Sequence, residues 1–150
     1  MRAVIQRVSR AEVRVDGESV SSIGPGLAVL VGVADGDSLD DAEVLADKVV
    51  GLRVFPDGAG KMNLSAVEAG GSVLVVSQFT LHGDLRRGRR PSFTAAADPA
   101  IAEPLIDALV ARVGRSVPVE SGRFGASMQL DLVNDGPVTI ILEIVDGRVI

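Results

Sequence analysis

The chain has 150 residues, 47% of them hydrophobic, a net charge of −5 and no cysteine. That length predicts a single domain over 1–150 with apolar mass enough for a core, and the missing cysteine excludes disulfides, thiolate metal sites and a cysteine nucleophile. No apolar run approaches the roughly 20 residues of a membrane helix, and Met1–Arg7 lacks a signal-peptide pattern, so a cytoplasmic protein with no membrane partner is expected.

In chain order, the start predicts strands over Ala3–Val8, Ala11–Val15 and Glu18–Ile23. Val13 and Val15 alternate with Glu12 and Arg14, the period of a half-buried strand. Asp16-Gly17 between two such runs predicts a hairpin turn. Gly24-Pro25-Gly26 breaks the chain before Leu27–Val33, an apolar run suited to a buried strand. From Asp37 to Val50 the period becomes helical, with Leu39, Ala42, Val44, Leu45, Lys48 and Val49 as its stripe. Asp37 or Ser38 can cap that helix and Gly51 can end it. Asp57-Gly58-Ala59-Gly60 predicts a turn, and Ser72–Ser77 a short buried strand. A second helix is predicted over Pro99–Val113, capped by Asp98, closed by Gly114, with Ile101, Leu105, Leu109 and Val113 as its apolar face. The tail returns to strands, with Met128, Leu130 and Leu132 alternating before a further run over Val138–Val145. Many strands with two main helices predict an α/β (α+β-like) fold whose helices cover one side of a mostly antiparallel or mixed sheet. Irregular alternation of helices and strands argues against a doubly wound parallel sheet.

Few residues are available for chemistry. His82 is the single histidine, so no multi-histidine metal site exists and no resident cofactor is expected. No spaced carboxylate set forms a calcium loop. Ser77-Gln78-Phe79-Thr80 leaves the end of an apolar strand and enters a predicted polar loop, where the ladder stops and backbone N–H groups are freed. Two such N–H groups aimed at one point can hold an oxyanion. Thr80 can serve as a nucleophile or as an orienting hydroxyl, and without an adjacent base a threonine is a weak nucleophile. Asn134-Asp135-Gly136-Pro137 reads as a turn between two strands, whose proline bond, if cis, directs successive carbonyls to one side. Arg86, Arg87, Arg89 and Arg90 form the one dense basic cluster in an acidic chain with two lysines. They are either a solvated loop or candidate phosphate contacts.

These motifs extend almost end to end. They run through Val4-Ile5-Gln6-Arg7-Val8, Gly60-Lys61-Met62-Asn63-Leu64, Gly71 to Leu81, Arg90-Pro91-Ser92-Phe93, Gly122 to Met128 and Asn134 to Thr139. Together they resemble the D-aminoacyl-tRNA deacylases, most specifically through the paired Ser-Gln-Xaa-Thr and Gly-Pro stretches. The resemblance implies a layered β-β-α sandwich and a homodimer with active sites at the subunit interface. It implies hydrolysis of the ester between a D-amino acid, or glycine, and the 3′ end of tRNA, a chiral proofreading step in translation. Ser77, Gln78, Phe79 and Thr80 would then line the catalytic pocket. Gly136 and Pro137, as a cis dipeptide of the other subunit, would hold the substrate amino group. Phe124 and Met128 would lie near the terminal adenosine, and Arg86, Arg87, Arg89 and Arg90 are candidate tRNA contacts. Two other functions compete: a small-ester esterase built on Thr80 and His82, and a non-catalytic RNA-binding module built on the arginines.

Overall fold

A computed structural model describes all of residues 1–150. The chain runs β1 (Arg2–Val15), β2 (Glu18–Ile23), β3 (Gly26–Gly32), α1 (Leu39–Gly51), β4 (Phe55–Pro56), β5 (Met62–Leu64), α2 (Ala66–Ala69), β6 (Ser72–Ser77), a 3₁₀ helix (Phe79–His82), α3 (Pro99–Val113), β7 (Val119–Ser121), β8 (Gln129–Val145) and β9 (Arg148–Val149). One seven-stranded sheet has the order β7-β6-β3-β1-β8-β9, with β2 paired to the far half of β1. Pairings among β3, β6 and β7 are parallel, and the remainder are antiparallel. A mixed sheet with two main helices is therefore the observed fold, as the sequence predicts.

The sheet is curled, and its burial pattern explains why. Leu27, Val29, Val31, Val73 and Val75 point to one face and join Leu45, Val49, Ile106 and Leu109 of the helices in a large core. Ala28, Leu74 and Val76 point to the opposite face. There they join Val8, Ala11, Val13 and Ile23 in a second core. The central strands β3 and β6 are thus apolar on both sides, which accounts for their continuous hydrophobic runs. The outer halves of β1, β2 and β8 fold back over them, giving two sheet layers and one helix layer. Packing of α1 on α3 is keyed at the surface by Arg112, which donates to Asp47 at 2.7 and 2.8 Å and to Glu43 at 3.0 Å.

The predicted caps fit the observed ends. Ser38 accepts from the Asp41 N–H, and the Asp41 carboxylate accepts back from the Ser38 N–H, a reciprocal capping box. Burial opposes ionisation of Asp41, but the Gly147 N–H and the Ser38 hydroxyl and N–H, with the nearby N-terminal ammonium, together outweigh it and hold its pKa below the ordinary value. Asp98 caps α3, with Pro99 in its first turn and Gly114 after its end.

Four predicted details of the long strands and helices differ. The Ala3–Val8 and Ala11–Val15 runs form one strand, bent by a register shift between Val8 and Arg10. On α1 the buried face is Asp41, Ala42, Leu45, Ala46 and Val49, while Leu39 and Lys48 are exposed. On α3 it is Ala102, Ile106, Leu109 and Val113, and Ile101 is 50% exposed. The fourth difference is Asn134–Pro137, which does not reverse the chain. β8 continues through it, antiparallel to β1 on both sides. Asn134 pairs with Val8 and Thr139 with Gln6, so four residues of β8 lie opposite Arg7 alone. That is an enlarged bulge, which bends the strand and pushes its backbone outward.

Candidate active site at the end of strand β6

β6 ends at Ser77, whose partner across the parallel ladder is Val31. The Gln78 N–H makes one last bond to the Val31 carbonyl at 2.7 Å, and the chain then tightens into the 3₁₀ helix. A helical turn thus stands where the sequence predicts a polar loop. The turn matters because the first N–H groups of a helix have no partner within it. Those of Phe79 and Thr80 occupy this position, side by side at the strand exit. Leu81 and Gly83 close the turn by donating to the carbonyls of Gln78 and Thr80 at 3.2 and 3.0 Å.

Beside the turn lies a cavity of about 610 Å³, lined mainly by apolar side chains. Ser77, Gln78, Phe79, Phe124 and Met128 all contribute to its wall. The cavity sits on the seam between the two cores: Phe124 packs against the helix-side core and Met128 against the other. Its volume falls within the range of small-molecule sites, and its few polar groups converge at the strand end. Phe93, also a wall residue, meets Phe79 edge to face with ring centroids 5.1 Å apart. Its place in the Arg90–Phe93 motif does not by itself reveal this role.

Thr80 stands next to the cavity, exposed, and its hydroxyl accepts from the Gln78 side-chain amide. An amide cannot take a proton from a hydroxyl, so this contact orients Thr80 without activating it. The His82 Nε2 is buried and makes no hydrogen bond. Gln78, Thr80 and His82 therefore do not form a nucleophile–base pair. No group of three or more histidine, cysteine, aspartate or glutamate side chains is arranged to hold a metal.

The Gly136-Pro137 peptide is cis, and both residues are exposed. Arg7 pins the base of this bulge. Its guanidinium donates to the Asp135 carbonyl at 3.0 Å and to the Val54 carbonyl at 2.6 Å, and it faces the Asp135 carboxylate at 3.5 Å. The Asn134 amide donates to the carbonyls of Arg7 and Val138 at 2.9 and 3.0 Å. The bulge is thus rigid, yet it is no part of its own chain's cavity. It lies opposite Arg7, in the row of Leu27 and Val73, whereas Ser77 shares a row with Val31 and Ala3. Four residues along the strands and three strands across separate them, about 13 Å by about 14 Å.

The arginines fall outside the cavity on the exposed loop that follows the 3₁₀ helix. Arg86 is engaged: it grips Asp84 through contacts of 2.7 to 3.0 Å. Those side-chain bonds, helped by the Arg86 N–H, hold the Asp84 carboxyl down to about 2. Arg87, Arg89 and Arg90 take part in none of the chain's ion pairs.

A family model described as D-Tyr-tRNA(Tyr) deacylase matches residues 4–143. A D-aminoacyl-tRNA deacylase of Chloroflexus aurantiacus is 56% identical over 149 residues, covering 99% of this chain and 93% of the relative. Among solved structures, one described as c-Myc DNA Unwinding Element Binding Protein superposes with a TM-score of 0.92. It is 39% identical and covers 97% of this chain and 99% of its own. A second, described as a "probable eukaryotic D-amino acid tRNA deacylase", shares the fold with a TM-score of 0.80 at 19% identity, over 95% of this chain and 98% of its own.

Proposed function

We propose that this chain, which belongs to the D-Tyr-tRNA(Tyr) deacylase family, hydrolyses the ester joining a D-amino acid to the 3′ end of tRNA. The reaction removes wrongly charged amino acids before translation uses them, and it takes place in the cytoplasm. The observation that carries this reading is the division of the machinery. A cavity with an open pair of N–H donors lies at the end of β6, and a rigid carbonyl-bearing bulge lies too far away to serve it within one chain.

A homodimer resolves that division. β8 is an edge strand over most of its length, and Val133, Ile141 and Val145 are exposed along it. An open apolar edge of this kind suits a second copy. Gly136-Pro137 of one subunit then enters the cavity of the other and completes it. Its carbonyls accept hydrogen bonds from the substrate ammonium group, and its backbone occupies the space an L side chain needs. A D side chain points elsewhere, and glycine passes because it has none.

The terminal nucleoside rests against Phe124 and Met128. Water attacks the ester carbon, assisted by the ribose 2′-hydroxyl, and the developing oxyanion is held by the N–H groups of Phe79 and Thr80. Collapse breaks the bond to the ribose 3′-oxygen, which leaves with a proton as the free hydroxyl. Ser77 and the Gln78 side chain shape the cavity around this centre, and no cofactor takes part. Arg87, Arg89 and Arg90 contact tRNA phosphates, while Arg86 braces their loop through Asp84.

The small-ester esterase is disfavoured because Thr80 is bonded to an amide rather than a base. The non-catalytic RNA-binding module leaves the cavity and its donors without a use. Incubating the protein with D- and L-aminoacyl-tRNA and following ester loss is the direct test. Rapid loss of the D ester with the L ester spared is expected; equal rates, or none, would remove this reading.

A further inference from the structure

We propose that Arg2, Glu143 and Gly32 are positioning residues that hold the 3₁₀ helix Phe79–His82 in its working place. The proposal rests on the deacylase function, since that function makes the Phe79 and Thr80 N–H groups the oxyanion donors. None of the three residues lines the cavity.

They form one row across the sheet. Arg2 of β1 is the ladder partner of Gly32 on β3 and of Glu143 on β8. Directly paired residues project to the same face, so the row makes a seat three strands wide. The Arg2 guanidinium donates to the Leu81 carbonyl at 2.7 Å. Carbonyls in the last turn of a helix lack partners within it, and a guanidinium there both satisfies one and matches its negative end. Arg2 is itself aimed by Glu143, whose carboxylate accepts from its Nε at 2.6 Å.

Gly32 supplies the other half of the seat. A Cβ placed on it would lie 3.0 Å from the Gln78 carbonyl oxygen and 3.0 and 3.1 Å from the His82 ring. The first of these contacts is with backbone immediately before the donors, so it cannot be relieved by a side-chain rotation. The bare backbone of Gly32 lets the turn settle against β3, with the His82 imidazole packed over it. This gives His82 a structural place in which its buried Nε2 needs no catalytic partner. The helix is therefore held at its start by Gln78 over Gly32 and at its end by Leu81 on Arg2, with its own short bonds and the Phe79–Phe93 contact between them. Glu143 also lies on the strand that carries Gly136-Pro137, so β8 braces its own subunit's donors while offering its bulge to the other.

The test combines single-turnover deacylation of D-aminoacyl-tRNA with amide hydrogen exchange at Leu81 and Gly83, whose bonds close the turn. Arg2→Ala should lower the saturated rate by about a hundredfold, the scale on which small misplacements act, with KM little changed. Arg2→Lys should recover part of that rate, and Glu143→Gln should fall between wild type and Arg2→Ala. Gly32→Ala should resemble Arg2→Ala. Exchange at Leu81 and Gly83 should quicken in each impaired variant. Arg10→Ala removes an exposed partner of Asp131 on the same two strands and should keep the wild-type rate. A full saturated rate in Arg2→Ala would overturn the proposal. So would unchanged protection at both amides, a loss expressed only in KM, or an equal loss in Arg10→Ala. Failure of the wild-type protein to deacylate would instead strike the proposed function, with the exchange data still deciding whether the seat holds the turn.

Discussion

The strand exit at Ser77–Thr80 and the bulge at Gly136–Pro137 sit on one sheet but are built by opposite means. The exit is enclosed by its own chain, walled by Phe79, Phe93, Phe124 and Met128, and freed from the ladder by a helical turn. The bulge stays within a paired strand, lies exposed, and is fixed from beneath by Arg7 and Asn134. Both offer backbone groups where side-chain chemistry is scarce: donors at the exit, acceptors at the bulge. The site proposed from them resists single side-chain losses. It is sensitive wherever a side chain is added or a backbone support is removed.

The largest effect should therefore come from adding one carbon. Gly136 has φ of +136°, a region that L side chains rarely adopt. A Cβ there would meet the Val138 N at 2.9 Å, its Cγ2 at 2.8 Å and the Arg7 Nη2 at 3.1 Å. Gly136→Ala must displace both the bulge and its anchor. A loss on the order of a hundredfold or more in single-turnover rate is expected, with far-ultraviolet circular dichroism unchanged. A normal rate would show that the bulge is no part of the site. On the substrate side, replacing the terminal ribose 2′-hydroxyl by hydrogen should be of similar severity, and normal turnover of that substrate would remove the hydroxyl from the attack.

How much of this contrast is legible in the sequence differs between the two regions. The ends of α3 are written in Asp98, Pro99 and Gly114, because capping is local chemistry. Its buried face is not, because residues 101, 105, 109 and 113 step by four and drift about 120° around a helix, whereas 102, 106, 109 and 113 stay within about 60°. Ala102 carries too little hydrophobicity to signal the better choice. The 3₁₀ turn after Ser77 depends on Gly32 and Arg2, distant in sequence, so no local pattern announces it. Asn134-Asp135-Gly136-Pro137 has the composition of a reversal. Pairing with both halves of β1 overrides that tendency and makes it a bulge. The cavity residues are legible through family motifs rather than through periodicity, because Ser77, Phe124 and Met128 meet only in the folded chain.

A moderate effect should follow from neutralising the free arginines. Each arginine withdrawn from a phosphate should reduce the salt slope of tRNA binding by about 1. Replacing Arg87, Arg89 and Arg90 together should thus weaken binding and flatten its salt dependence while sparing the saturated rate. An unchanged slope would return them to the role of a solvated loop. Arg86 should differ from these three, because it is committed to Asp84. The folded Asp84 pKa, about 2, lies below its ordinary 3.8. Whatever the pair contributes to holding the loop is therefore complete above that ordinary value and disappears as pH falls through about 2. Carboxyl chemical shifts should show Asp84 titrating near 2, and tRNA binding should show no step attributable to it between pH 5 and 8. A titration near 3.8 would mean that the brace is not made in solution.

The smallest effect should come from the residue that looks most like a nucleophile. Thr80 contributes two separable things: a hydroxyl bonded to the Gln78 amide and a backbone N–H at the start of the 3₁₀ helix. Thr80→Ala removes the first and keeps the second. With no base on the hydroxyl, the threonine has no route to a strong nucleophile, and the anchors at Leu81 and Gln78 remain to hold the turn. The single-turnover rate should therefore stay within about tenfold of wild type, the cost of a loosened Gln78 side chain rather than of a missing reaction step. Deleting an obligatory nucleophile costs about a millionfold, so the two mechanisms are separated by several orders of magnitude. A loss of that size with the turn still protected in hydrogen exchange would make Thr80 the attacking group. It would also end the contrast between the two regions, because the strand exit would then depend on a side chain after all.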